Sequence, residues 1–268
     1  MFVNIEFFSS VERVSREPPV IQSIDRVARI LTLLQGARRM GISELATALE
    51  LPPSTVHGLV KSLQAHGLVA QETVGNRYVL GPALLKLSSV YLDTLDVRTR
   101  AIRWMHGLST ATGCATRLGV SLRGDVLLIH HDRRPDGTEQ MPETGLTLPA
   151  HASGLGKVLL AYDADLREDV LARPLADLTA ATVTDPEALR AELVVVRGAA
   201  LAIENEEAVV DETSLAVPVT DASGRVVAAL SIVLPAEEFP PPASVERDLR
   251  DAARNLSRDL GAASWPPR

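Results

Sequence analysis

The chain has 268 residues, enough for two domains of ordinary size, and its 46% hydrophobic and 23% charged residues are typical of a globular protein. Its single cysteine, Cys114, excludes a disulfide within the chain and a cysteine-based zinc cluster. No apolar run is long enough to cross a bilayer, and the N-terminus lacks the pattern of a signal peptide. We therefore expect a cytoplasmic protein without membrane contact, metal or cofactor.

The net charge of −7 argues against a nucleic-acid-binding protein until the charge is divided along the chain. Residues 20–80 carry six lysines and arginines against four acidic residues, so the acidity lies in the rest of the chain. One copy of such a weakly basic segment would bind DNA weakly, because affinity for DNA comes largely from neutralised phosphates. If this segment binds DNA, we expect several copies to act together.

The first part of the chain has the pattern of a DNA-binding module. Residues 1–19 are expected to form a flexible tail, and residues 20–81 show three helical periodicities followed by two strand-like runs around a turn at 73–76. The expected N-caps of the three helices are Ser23, Ser43 and Ser54. Three helices and a hairpin, in this order, predict a winged helix-turn-helix.

The third predicted helix is the candidate DNA-reading element, because a helix that enters the major groove exposes short polar side chains in its first turns. The candidate contacts on this helix and beside the hairpin turn are Ser54, Thr55, His57, Lys61, Ser62 and Arg77. Taken singly, Ser54 is better explained as a helix cap and His57 as a solvated side chain. The complete helix and hairpin pattern favours DNA binding.

The second part of the chain predicts an α+β domain. Residues 82–97 are expected to form a linker helix, residues 98–262 a second domain, and residues 263–268 a short tail. Hairpin turns are predicted at 123–125 and 222–224, with helical segments between and after them. Two hairpins with helices inserted between them indicate an antiparallel sheet covered by helices.

The segment from Pro149 to Lys157 ends a loop and begins a helix in this second domain. Its small residues would let a ligand approach the backbone, and free amide groups at a helix N-terminus favour an anion such as a carboxylate. A phosphate-binding P-loop is disfavoured, because His151 and Val158 stand where that motif needs glycine and serine or threonine. The alternative is tight packing of the helix on the sheet without a ligand.

Three stretches resemble the IclR family of bacterial transcriptional regulators. They are SIDRVARILTLLQ with ELATALELPPSTVHGLVKSLQAHGLV, then LPAHASGLGKVLLA, then LAIENEEAVVDETSLAVPVTDASGRVVAALSI. The resemblance implies a winged helix-turn-helix, a linker helix and a GAF-like effector-binding domain, assembled as a homodimer or as a homotetramer that is a dimer of dimers. It implies binding of double-stranded operator DNA and repression or activation of nearby genes. For this chain we expect repression of a catabolic operon under the control of a small organic acid, aromatic acids included, or a related effector, although activation stays open.

The resemblance also implies which residues contact the effector. These are Gln140, Met141, Gly154, Leu155, Glu204, Ser214, Ser231 and Val233. Ser214 stands where many members have cysteine, and Val233 occupies a place that is polar in some relatives, so we expect a ligand less polar than a simple keto acid. Gly58 departs from the family, which frequently has arginine after the histidine of the recognition helix.

No catalytic or metal centre is predicted. His130 and His131 are adjacent on a strand and would point to opposite faces, so they do not suit one metal ion. Ser153 and Ser231 lack the context of a nucleophile elbow. Two alternatives to a regulator stay open at this point: a ligand-binding enzyme, and a protein-interaction module, each carrying a winged helix.

Several charged residues of the second domain are interpreted from the sequence as solvent-exposed. Residues 204–207 are interpreted as a solvated acidic turn from which one residue reaches the pocket. Arg117 and Arg133 are interpreted equally well as surface charges, so no arginine clamp for a carboxylate emerges.

Overall fold

The computed structural model of the protein describes residues 21–267, which form two compact units that meet in sequence between Val90 and Tyr91. The tail predicted at 1–19 lies outside the described residues. Within the described part of the chain, no helix is both long enough and apolar enough to span a bilayer.

The first unit has the predicted three helices and hairpin. The elements are α1 (Gln22–Ala37), α2 (Ile42–Leu49), α3 (Pro53–Ala65), β1 (Val69–Gln71) and β2 (Tyr78–Leu80). The two strands pair antiparallel, with Val69 opposite Leu80. The apolar faces of the three helices and the base of the hairpin form one buried core, which includes Ile30, Leu45 and Val60.

The three predicted serine caps are wrong, because each helix begins before its serine. The flanking residues that precede α1, α2 and α3 are Ile21, Gly41 and Pro52. The Gly41 amide donates to the Glu44 carboxylate at 2.6 Å, so a side chain three residues into α2 satisfies this helix end. Pro53 occupies the first position of α3, where the missing N–H of proline costs nothing.

Two helices follow the hairpin, α4 (Ala83–Thr94) and α5 (Asp96–Thr112). The break at Leu95 divides the stretch predicted as one linker at 82–97. Within α4, all of which is described, no side chain is buried, and its large apolar residues Leu85, Leu87, Val90 and Tyr91 are exposed. An apolar helix surface of this kind is unusual on an isolated chain.

The second unit is an antiparallel sheet with helices on both faces. Its six strands lie in the order β5-β4-β3-β8-β7-β6, and every pairing is antiparallel. The strands are β3 (Ala115–Leu122), β4 (Asp125–Asp132), β5 (Thr147–Pro149), β6 (Ala202–Asn205), β7 (Glu212–Thr220) and β8 (Val226–Pro235). The helices are α6 (Gly154–Tyr162), α7 (Ala164–Leu171), α8 (Pro186–Ala199) and α9 (Ala243–Asp259). The predicted α+β fold and both predicted hairpins are confirmed.

The period-two alternation of side chains divides the core of this unit between the two faces of the sheet. One core lies between the sheet and helices α5 and α9 and contains Leu118, Leu230 and Ile232. The other lies between the sheet and helices α6 and α8 and contains Leu128, Ala216 and several residues of α6. Small residues on the second face let α6 lie close to the sheet.

The C-terminal segment predicted as a tail at 263–268 packs against the second unit, as far as residue 267. The Trp265 indole N–H donates to the Pro218 carbonyl at 2.9 Å, and the Arg254 guanidinium lies 5.6 Å from the indole ring. Trp265 also contacts the core beneath α9.

Candidate DNA-binding surface and effector pocket

One face of α3 is polar and open to solvent, while Val56, Val60 and Leu63 on the other face are buried. The exposed face carries the candidate DNA contacts of this helix, with Thr55 half-buried beside them; these are Ser54, Thr55, His57, Lys61 and Ser62. The hydrophobic spacing of the sequence therefore places the candidate residues on a single accessible surface.

The hydrogen bonds of Lys61 and Ser62 on this surface join residues three or four positions apart on α3. The Lys61 ammonium donates to the Gln64 side-chain oxygen at 3.3 Å, and the Ser62 hydroxyl donates to the Gly58 carbonyl at 3.1 Å. A Cβ atom added at Gly58 would meet no described atom within 4 Å. Packing therefore does not require glycine at this position, and the departure from the family leaves open space on the exposed surface.

Arg77, the candidate contact beside the hairpin turn, pairs with α2. Its guanidinium lies 3.4 Å from the Glu44 carboxylate, and both side chains are about half exposed. An exposed ion pair of this kind contributes little to stability, so Arg77 can exchange Glu44 for a phosphate at small cost.

The register of the sheet brings most of the candidate effector residues to one cavity. Arg117 on β3 lies opposite Ser231 on β8, and Ser214 on β7 lies opposite Glu204 on β6. These side chains share the face that α6 covers, and with the start of α6 they line a cavity of about 10 Å³. This volume accommodates about one water molecule, so a larger ligand requires the walls to move.

The N-terminus of α6 forms one wall of the cavity through Gly154 and Leu155. Ser153 caps this helix: its hydroxyl accepts from the Gly156 amide at 3.2 Å and donates to the Pro149 carbonyl at 2.9 Å. A Cβ atom at Gly154 would lie 2.8 Å from the Ser214 hydroxyl oxygen. The close approach of α6 to β7 therefore requires a glycine at position 154.

Glu204 is buried in the opposite wall, with 2% of its surface exposed. Its carboxylate accepts from the Ser214 hydroxyl at 2.8 Å and from the amides of Glu207 and Ala208 at 2.8 and 3.2 Å. Burial raises the pKa of Glu204 above its usual range, and the three hydrogen bonds oppose that rise. Glu204 is therefore the residue of 204–207 that reaches the cavity.

The interpretation of the rest of 204–207 as a solvated turn is wrong for Glu207, which is also buried and pairs with Lys157 of α6. The Lys157 side chain is fully buried, and its ammonium lies 2.6 Å from the Glu192 carboxylate of α8 as well. Burial raises the pKa of Glu207, while the bond to Lys157 acts against that rise. This triad joins α6 and α8 to the segment after β6, whose amides bond to Glu204, and sequence reasoning missed it.

Arg117 is not a surface charge. Its side chain is buried, and its guanidinium donates to Glu143 at 2.8 Å and to Glu212 at 2.6 Å, with two further bonds to the same carboxylates. Burial alone would raise the pKa of Glu143, but the bonds and charge of Arg117 hold it below its usual range. Arg133, by contrast, is exposed, in agreement with the sequence interpretation.

Three of the eight implied effector residues do not line this cavity. Gln140 and Val233 lie in a neighbouring groove of about 400 Å³, where the Gln140 side chain accepts from the Arg134 amide at 2.7 Å. Met141 lies on the surface, with 58% of it exposed. The resemblance placed these residues by position in the chain, but the loop after β4 carries Gln140 and Met141 outside the cavity.

The histidines give no sign of a metal centre. His130 and His131 are half-buried on β4, and His151 is buried with its Nε2 atom 2.9 Å from the Ala176 carbonyl oxygen. Among residues 21–267, no group of three histidine, cysteine or acidic side chains lies close enough together to hold an ion.

Both units match known family models. The model described as "IclR helix-turn-helix domain" matches residues 23–73, and "Bacterial transcriptional regulator IclR C-terminal" matches residues 89–258. The chain belongs to the IclR family. The family consists of transcriptional regulators rather than enzymes, and IclR regulators bind DNA and small-molecule effectors.

Relatives of this IclR chain match it over nearly its whole length. A glycerol operon regulatory protein of Streptomyces griseus is 40% identical, over 91% of this chain and 98% of the relative. An IclR regulator from Silicibacter has a structure with TM-score 0.78 and 28% identity, over 91% and 98% of the two chains. An IclR homologue from Microbacterium hydrocarbonoxydans, solved with 4-hydroxybenzoate, gives TM-score 0.76 and 29% identity, over 89% and 98%.

Proposed function

We propose that this protein represses a small-molecule catabolic operon by binding operator DNA, and that an effector in the cavity beneath α6 modulates the binding. The observation that carries the proposal is the polar, solvent-exposed face of α3 within a unit of the IclR helix-turn-helix type. The glycerol operon regulator of Streptomyces griseus, at 40% identity, supports a catabolic operon as the target.

In this proposal, the start of α3 enters the major groove. Ser54, Thr55 and His57 lie in the first turns, where side chains reach base edges and where helix amides favour a phosphate. Lys61 is placed one turn further and neutralises a phosphate, beside Ser62. Arg77 reaches the backbone of an adjacent groove from the hairpin.

The effector contacts in this proposal are the five implied residues that line the cavity: Gly154, Leu155, Glu204, Ser214 and Ser231. Gln140, Met141 and Val233 are left out, because they lie elsewhere in the second unit. The complex of a family member with 4-hydroxybenzoate supports a small organic molecule as the kind of ligand.

The proposal includes assembly as a homodimer, or as a homotetramer built from two dimers. Two observations support it. The weakly basic segment 20–80 supplies few phosphate contacts in a single copy. In addition, α4 exposes Leu85, Leu87, Val90 and Tyr91, and a second copy would remove these side chains from water.

A footprint over the DNA upstream of the protein's own gene tests the function at low salt. The proposal predicts protection of a two-fold symmetric site by the full chain. The double variant His57→Ala and Lys61→Ala should lose this protection, whereas Arg247→Ala, which removes an exposed cation of α9 in the second unit, should keep it. No protection by the unmodified chain would contradict the proposal.

A further inference from the structure

The cavity beneath α6 contains a polar group without a partner. Ser231 is 1% exposed, lines the cavity, and its hydroxyl has no hydrogen-bond partner among the described residues. A buried hydroxyl in this state costs free energy unless another group completes its bonds. The cavity is therefore built for a polar occupant rather than for tight packing alone.

The charge around the cavity disfavours an anion. Arg117 is the one lysine or arginine among the described lining residues, and two carboxylates, of Glu143 and Glu212, already occupy its guanidinium. Of the carboxyl groups, those of Glu204 and Glu212 line the cavity themselves. An acidic ligand would enter beside two carboxyl groups and one cation whose donors are already engaged.

The hydrogen-bonding groups that remain suit hydroxyl groups instead. The carboxylates of Glu204 and Glu212 have lone pairs that accept from an O–H, and the Ser231 hydroxyl both donates and accepts. The first amides of α6, at Gly154 and Leu155, have no carbonyl partner within the helix, so they are able to donate to a ligand hydroxyl oxygen. Carboxylate acceptors opposite amide donors match a molecule with several hydroxyl groups.

We propose that the effector is a small neutral polyhydroxy compound rather than an organic acid. The inference rests on the proposed function, which assigns this cavity to the effector. The ligand is small, because α6 lies so close to β7 that even a methyl group at Gly154 would contact Ser214. The organic acid expected from the family resemblance would need to displace Glu143 or Glu212 from Arg117.

Titration calorimetry on the full chain tests the charge preference with ligands of one carbon skeleton. Glycerol is compared with glycerate and glycerol 3-phosphate, and erythritol and xylitol are compared with the corresponding aldonates. We expect at least one neutral polyol to bind with a dissociation constant about tenfold or more below that of its charged counterparts. Tighter binding of a charged counterpart, or no binding by any of the three polyols, would overturn the proposal.

Variants locate the binding and separate it from general stabilisation by polyols. Ser231→Ala should weaken the polyol about fivefold or more, since it removes the unpartnered hydroxyl, whereas the exposed control Ser264→Ala should not change the affinity. Glu204→Gln should reduce the ratio of the dissociation constant of the charged ligand to that of the neutral one. Glu187→Gln, on the surface of α8, should leave this ratio unchanged. Equal affinity in Ser231→Ala would contradict the assignment.

Failure of this inference and failure of the proposed function give different results. The footprint requires no ligand, so loss of protection would refute DNA binding whatever calorimetry shows. Protection together with binding of an acid in place of a polyol would retain the regulator and reject only the ligand class.

Discussion

Replacing Lys61 tests whether α3 contacts DNA phosphates. Its ammonium is exposed on α3, and its described contact is a hydrogen bond of 3.3 Å to Gln64, which a phosphate can replace. A lysine that contacts a phosphate contributes affinity on every DNA sequence and releases one counterion.

We predict that Lys61→Ala weakens binding by a similar factor on operator and unrelated DNA, and reduces the slope of log affinity against log salt by about one per contact. Fluorescence anisotropy over a series of salt concentrations measures both quantities. Arg247→Ala is the control, because it removes an exposed positive charge from α9 in the second unit. An unchanged slope in Lys61→Ala would remove this residue from the phosphate contacts.

At the residue scale, sequence reasoning succeeds where a role follows from position in an element and fails where it depends on distant partners. The exposed face of α3 follows from its hydrophobic spacing. The burial of Arg117 does not, because its carboxylate partners lie 26 and 95 residues away in the sequence. Lys157 is similar, with partners 35 and 50 residues away.

At the scale of elements, the Arg117 network joins β3 to the start of β7 and to the loop that precedes β5. Because Arg117 holds the pKa of Glu143 below its usual range, this carboxylate contributes stability above its ordinary pKa, and the contribution is lost as the pH falls through the lowered value. Removing the arginine would leave two half-buried carboxylates without their arginine partner.

We predict that Arg117→Met lowers the free energy of unfolding by about 3–5 kcal/mol near pH 7.5. Without the arginine, burial raises the pKa of Glu143, so this carboxyl group becomes protonated as the pH falls and the difference in unfolding free energy from the unmodified protein should narrow near pH 5. Urea unfolding at the two pH values measures this. Arg190→Met, which breaks an exposed pair with Glu168, should have little effect; a pH-independent loss in Arg117→Met would contradict the account.

Element order and type follow well from the sequence, whereas the helix starts and the cavity walls do not. The hairpins around 123–125 and 222–224 have clear turn signals, and the structure contains both. The residue at which a helix starts depends on local hydrogen bonds, such as the bond from the Gly41 amide to the Glu44 carboxylate at the start of α2. Such bonds compete with capping by a nearby serine side chain. Which loop residues reach the cavity depends on the path of 133–146, which periodicity does not describe.

At the scale of the whole molecule, the net charge of −7 conceals a weakly basic DNA-binding segment joined to an acidic remainder. One copy supplies few phosphate contacts, so operator binding should depend on assembly. The exposed apolar surface of α4 offers a place for a second copy to pack.

We predict a particle of twice or four times the chain mass at micromolar concentration, measured by light scattering after size exclusion. Replacing Leu85 and Leu87 by glutamate should shift this mass downwards and weaken operator binding in parallel, because it places charge on the apolar surface of α4. The control Asp93→Glu keeps the charge of α4 and should change neither the particle mass nor the operator affinity. A monomer that binds its operator with full affinity would contradict the proposed assembly.

The most direct test of the account is the operator dissociation constant with and without saturating effector, taken as the ligand that binds most tightly in calorimetry. We predict a change of about 5- to 150-fold in the unmodified protein, the usual range of coupling between two sites. Gly154→Val, whose side chain would fill the space beside Ser214, should bind operator normally and show no change. An operator affinity unaffected by ligand in the unmodified protein, or an equal change in Gly154→Val, would contradict the central claim.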